Sequence, residues 1–187
     1  VRLFIAINFT DEVKNALSET IANLRSAAKR GRYTAWDNLH LTLVFIGESD
    51  RINDITHVMQ DSAREAFPTP LQLDINGAGT FNGRNGKLHW MGVRKTAELT
   101  QLVESLTKGL RQAGFDIEKR RYSPHITIGR DVVLSENAQI LVHPTSMQAD
   151  HISLMRSDTH DGQPVYTEIA SVYCTDKTHS VDKPSLL

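Results

Sequence analysis

Two short stretches of this chain carry the same pattern, a histidine followed two residues later by a threonine. They are "DNLHLTLVFIG", from Asp37 to Gly47, and "SPHITIGR", from Ser123 to Arg130. Side chains two apart on a strand leave the same face. In the first stretch His40, Thr42, Val44 and Ile46 share one face, and Leu41, Leu43 and Phe45 share the other. In the second, His125 and Thr127 stand opposite Ile126 and Ile128. Each strand is therefore expected to bury one apolar face and to present an imidazole and a hydroxyl on the other. One such pair is an ordinary half-buried strand. Two in matching surroundings constrain the whole chain.

The surroundings do match. Arg2 to Phe9 alternates as a strand, Thr10 can cap a helix, and Val13, Leu17, Ile21, Leu24 and Ala28 recur at helical spacing. A basic stretch, "AKRGRY" from Ala28 to Tyr33, reads as a solvated loop before the strand His40–Ile46, which Gly47 ends. Later, "KLHWMGV" (87–93) reads as a strand. Thr96 can cap a helix with Leu99, Leu102, Val103, Leu106 and Leu110 on its core face, and Gly114 stops it. A second basic loop, "EKRRYSPH" from Glu118 to His125, leads into the second histidine strand. Leu3 precedes His40 by the same interval as Leu88 precedes His125, which suggests a duplication with pseudo-repeats at about 1–80 and 86–174.

The remaining elements fill in around this frame. Ile52, Ile55, Met59, Ala63 and Phe67 mark a helix halted before Pro68 and Pro70. Leu71, Leu73 and Ile75 alternate as a strand, and "GAGTFNGRNG" reads as a turn-rich connection. Gln148–Met155 and Val165–Cys174 read as strands, with "SDTHDGQP" as the loop between them, and 175–187 as a polar, loosely held tail. The expected class is α+β, with most connections antiparallel: one bilobal domain over 1–174.

Composition narrows the function. A net charge of −1 argues against a broad nonspecific nucleic-acid surface, though not against a small phosphate pocket. The only cysteine is Cys174, so a reducing cytoplasm is expected, and no apolar run has membrane-spanning length. No Walker A glycine loop invokes ATP, and no Cys or carboxylate cluster completes a zinc site around His57, His89, His143, His151, His160 or His179. Neither a metal nor a cofactor is expected.

If the two polar faces meet in a cleft, two imidazoles face each other across it, each beside a threonine hydroxyl. That suits phosphate ester chemistry. One imidazole takes a proton from water and the other gives one to a leaving oxygen, since an unperturbed pKa of about 6.5 lies near working pH. The hydroxyls of Thr42 and Thr127 can stabilise charge on phosphate oxygens.

At these residues the sequence resembles the two-histidine (2H) phosphoesterases, and among them the RNA 2′,3′-cyclic phosphodiesterases, also called 2′–5′ RNA ligases. "RLFIAI", "NLHLTLVFIG", "SPHITIGR" and "LMRSDTHDGQPVYTEIA" carry the likeness over about residues 1–174. The resemblance implies a bilobal α+β fold, two antiparallel-rich sheets with flanking helices around a central groove. It implies metal-independent opening of a 2′,3′-cyclic phosphate to a 2′-phosphate, with His40 as general acid and His125 as general base. Thr42 and Thr127 would hold the phosphate. Arg130 matches a family arginine, although strand alternation sets it opposite His125 unless the strand bends at Gly129. Tyr122 would border the groove, and Trp36 either stacks on a base or packs in the core. The partners implied are RNA ends or small cyclic nucleotides, acted on by a cytoplasmic monomer. Two other readings stay open: 2′–5′ ligation or cleavage, and a noncatalytic RNA-binding module on the same scaffold.

Overall fold

The computed structural model describes residues 1–177. Its strands and helices follow one another as β1 (Arg2–Asn8), α1 (Asp11–Ala27), β2 (Ala28–Tyr33), β3 (His40–Glu48), α2 (Ile52–Ala66), β4 (Leu71–Asn82), β5 (Lys87–Val93), α3 (Ala97–Gln112), β6 (His125–Leu134), β7 (Thr145–Ala149), β8 (His151–His160) and β9 (Gln163–Tyr173). The strands form two antiparallel sheets, ordered β3-β1-β8-β9 and β2-β6-β5-β4-β7. This is the α+β class with two sheets that the sequence predicts.

Local chemistry sets the helices. The Thr10 hydroxyl accepts from the Val13 amide and Thr96 accepts from Leu99, so both helix starts are capped by the expected residues. Such a cap contributes about 1 kcal/mol. Val13, Leu17, Ile21 and Leu24 are buried along α1, and Leu99, Leu102, Val103, Leu106 and Leu110 along α3. Gly114 follows α3 at φ +86°, a left-handed conformation that favours glycine. One continuous core joins these stripes to Leu3, Ile5, Ile7, Leu41, Leu43, Ile126, Ile128 and Ile152 from both sheets.

The sheet order shows how the chain is woven. β6, β5 and β4 lie side by side in one sheet as β3, β1 and β8 do in the other. Yet β2 and β4 come from the first half of the chain and β8 and β9 from the second, so each half lends two strands to the other sheet.

Four stretches differ from the sequence reading. Ala28–Tyr33 is not a loop. It follows α1 without a break and pairs antiparallel with β6 at the edge of its sheet, where one side of the strand is open and charged side chains stay solvated. "GAGTFN" is not a connection either. It prolongs β4 past a register shift at Asn76–Gly77 and pairs with β5 down to Asn82. Gln148–Met155 is two strands, β7 and β8, parted at Asp150 and lying in different sheets. Finally, "SDTHDGQP" is mostly strand. β8 and β9 pair as far as His160 and Gln163, leaving a two-residue turn of Asp161 (φ +49°) and Gly162 (φ +75°). An Asp-Gly pair with both φ positive is the tight turn that suits the twist of a hairpin. At the C-terminal end, Thr175 and Asp176 donate their amides to the carbonyls of Phe67 and Pro68. The rest of the expected tail, 178–187, lies outside the described residues.

Candidate active site

β3 and β6 bring the two His-x-Thr pairs to the place where the sheets approach each other. Tyr122 fastens them. Its hydroxyl, just upstream of β6, donates to the Thr42 carbonyl on β3 at 3.1 Å. Burial pushes the Tyr122 phenol pKa up, so the group stays a neutral donor across the working range.

The two imidazoles are held alike. His40 Nδ1 lies 2.7 Å from the Asn38 carbonyl, and His125 Nδ1 lies 2.7 Å from the Ser123 carbonyl, each two residues upstream. A carbonyl only accepts, so Nδ1 carries the proton in both rings and Nε2 is left for chemistry. At His40, Nε2 is 2.9 Å from the Thr42 hydroxyl, which donates to it while the ring is neutral.

Aromatic rings seat both histidines. Phe4 lies 4.9 Å from His40 between centroids, and Tyr166 meets it edge-on at 5.2 Å. Phe81 meets His125 edge-on at 5.3 Å, with Trp90 at 6.4 Å. Sequence reasoning named none of these four rings, because they come from β1, β9, β4 and β5 and only sheet pairing gathers them. Trp90 in turn requires Gly79. A Cβ built there would stand 2.2 Å from the indole. Gly79→Ala is expected to cost roughly 1–3 kcal/mol of stability. It should also displace Trp90 from beneath His125, observable as a lower melting temperature with a change in tryptophan fluorescence.

The environments of the two histidines nevertheless differ. Burial, foremost, and the nearby positive charge of Arg130 hold the His40 pKa below its ordinary value, while the bond to the Asn38 carbonyl acts the other way.

Arg130 lies just beyond a slip in strand register. Between β5 and β6 the register slips, with Trp90 opposite Thr127 but His89 opposite Gly129. Ile128 and Gly129 are both buried, the alternation shifts by one, and Arg130 is exposed within electrostatic reach of His40. β3 slips in the same way against β1. Leu43 and Val44 are both buried, so the expected grouping of Val44 and Ile46 with His40 fails. Phe45 emerges on that side instead, its ring 6.1 Å from Phe4.

The other sequence candidates fall elsewhere. Trp36 packs on α1, donating its indole N–H to Asn15 at 3.0 Å beneath the Lys14 ammonium. His89 is buried. His143 and His151 lie beside Glu19 and Asp150, at 3.1 and 2.6 Å. Among the described residues no three His, Cys, Asp or Glu side chains converge as a metal site would need. One polar cluster escaped the sequence reading. Asn8, directly opposite His40 in register, donates to Ser153 and Glu168 at 3.1 Å each, and Ser153 donates to the same carboxylate.

Similarity to known proteins extends over most of the chain. The sequence model of the 2′-5′ RNA ligase superfamily matches residues 13–161. The RNA 2′,3′-cyclic phosphodiesterase of Thermotoga maritima is 33% identical over 177 residues, 89% of this chain and 91% of that protein. The protein of the same name from Methanothermobacter thermautotrophicus is 31% identical over 181 residues, covering 90% and 96%. Among solved structures, E. coli LigT in its apo form superposes with a TM-score of 0.73 at 28% identity, over 92% of this chain and 96% of that one.

Proposed function

The chain belongs to the 2′-5′ RNA ligase superfamily, and from that premise we propose that it hydrolyses terminal ribose 2′,3′-cyclic phosphates to 2′-phosphates with two histidines. The observation that carries the reading is the matched pair of imidazoles. Each is locked by Nδ1 to a carbonyl two residues upstream, which leaves Nε2 as the nitrogen for a substrate, at His40 beside the Thr42 hydroxyl, and the two sit on strands tied together by Tyr122.

Water attacks phosphorus in line with the bond that breaks, so the entering and departing oxygens stand on opposite sides. His125 Nε2 takes the water proton as the new P–O bond forms. The P–O3′ bond breaks, and His40 Nε2–H gives its proton to O3′. The product carries a 2′-phosphate and a free 3′-hydroxyl. Thr42 and Thr127 donate to phosphate oxygens, and Arg130 offsets their charge. When His40 is protonated, the Thr42 hydroxyl turns from donor to acceptor and its hydrogen is free for the phosphate. The same steps with a 5′-hydroxyl in place of water would join ends through a 2′–5′ linkage, which is the second reading and fits the superfamily's description.

The test is product analysis with a synthetic oligoribonucleotide ending in a 2′,3′-cyclic phosphate. A 2′-phosphate product is expected, whereas a predominantly 3′-phosphate product would reverse the substrate orientation. Exhaustive chelation is expected to leave the rate unchanged. A rate abolished by chelator and restored by one divalent ion would require a metal-bound hydroxide instead. The reading includes a cytoplasmic monomer that uses no ATP. Among the described residues no helix is long and apolar enough to cross a membrane.

A further inference from the structure

We propose that β2, the far half of β6 and the β4–β5 turn form a track for single-stranded RNA leading away from the two histidines. Nucleotides upstream of the terminal one then gain contacts that a free cyclic nucleotide lacks. This rests on the cyclic-phosphodiesterase reading of the site and extends it beyond the terminal nucleotide.

The charge distribution points there. The chain as a whole is almost neutral, at −1. Yet these three segments carry Lys29, Arg30, Arg32, Arg84 and Arg130, all exposed, against a single carboxylate, Asp131. The register aligns them. Arg32 lies directly opposite Arg130, whose charge reaches His40. Arg30 pairs opposite Val133, and its guanidinium extends to the turn, donating to the Asn85 carbonyl at 3.1 Å. From His125 to Val133 the strand advances about 26 Å, room for several nucleotides.

Like charges directly opposite on neighbouring strands destabilise a sheet. The Arg32–Arg130 pair is relieved on one side only, by Asp131, which binds Arg32. A phosphate lying between the two would relieve the other. Edge-strand cations also discourage pairing with another chain, but that role needs neither Arg84 in the turn nor the guanidinium braced on Asn85. A ribose cyclic phosphate sits at a 3′ end, so the RNA leaves the site in one direction. The cations begin beside the reacting phosphate and continue one way along β6.

The test compares a 2′,3′-cyclic mononucleotide with an oligoribonucleotide ending in the same group. The enzymes are wild type, the double variant Arg30→Glu/Arg84→Glu, and the double variant Arg64→Glu/Lys108→Glu on α2 and α3 as a charge-matched control. The double variant should lose about tenfold or more in kcat/KM on the oligonucleotide and keep its rate on the mononucleotide. The wild-type oligonucleotide rate should fall with salt at a log–log slope of about −0.7 per phosphate contacted, and the variant's slope should be shallower. Equal effects on both substrates, or none, would overturn the track while leaving the reaction intact. Fluorescence anisotropy with an unreactive 3′-hydroxyl oligoribonucleotide judges the track apart from the chemistry. Binding unchanged in the double variant would refute it, whatever the enzyme does to a cyclic phosphate.

Discussion

His40→Ala and His125→Ala are each expected to lower kcat on a 2′,3′-cyclic phosphate by about 10²–10⁴-fold, the usual worth of a positioned acid or base. Both variants should remain folded, which circular dichroism and a cooperative melt would check. His40 is the more sensitive to truncation, since it fills a seat between Phe4 and Tyr166; His40→Asn, smaller in its effect on packing, serves as the second variant. Near-normal turnover in either folded variant would remove the mechanism. The roles can then be separated by the leaving group. A substrate with sulfur bridging at the 3′ position departs as a thiolate and needs no proton. With it, the variant lacking the general acid should recover most of its loss, while the variant lacking the base should not. Recovery in His40→Ala supports the assignment made here, and recovery in His125→Ala exchanges the two roles.

The parts of this site that are legible in the sequence are those decided within a few residues of themselves. A histidine and a threonine two apart on a strand share a face wherever the strand goes, and Thr10 and Thr96 cap their helices through amides three residues on. What is not legible is decided by the partner strand. Phe45 comes beside Phe4, and Arg130 within electrostatic reach of His40, where β3 and β6 slip against β1 and β5, and the bulged strands do not announce the slip in their own alternation. Trp90 reaches His125 only because β4, from the first half of the chain, places Gly79 beside β5. The basic run Ala28–Tyr33 has the composition of a loop and the position of an edge strand, and charge alone cannot tell those apart. The Asp-Gly turn at Asp161–Gly162 was readable, but the polar residues around it disguised the strand ends.

Arg130→Gln is expected to lower kcat/KM on a cyclic phosphate by roughly 10–100-fold, since a charge-assisted bond to phosphate contributes about 1.5–3 kcal/mol. The loss should depend on pH in a definite direction. Arg130 helps hold the His40 pKa below its ordinary value, so removing its charge raises that pKa. If His40 is the acid, the variant keeps more of the protonated form at high pH than wild type does, and the two are alike at low pH. If His40 is the base, the variant has less of the neutral form at low pH, and the two are alike at high pH. In either role the ratio of variant to wild-type kcat/KM rises with pH, so the deficit is largest on the acidic side. A ratio independent of pH would mean that Arg130 acts on the phosphate without touching His40, or lies too far from it to matter. Arg130→Lys separates these. It keeps the charge and loses the planar fork, so it should retain the wild-type pH dependence while still binding the substrate less well. Measuring kcat alone adds a further check, because a bound anionic phosphate offsets the guanidinium and should weaken the pH dependence of the ratio in the complex.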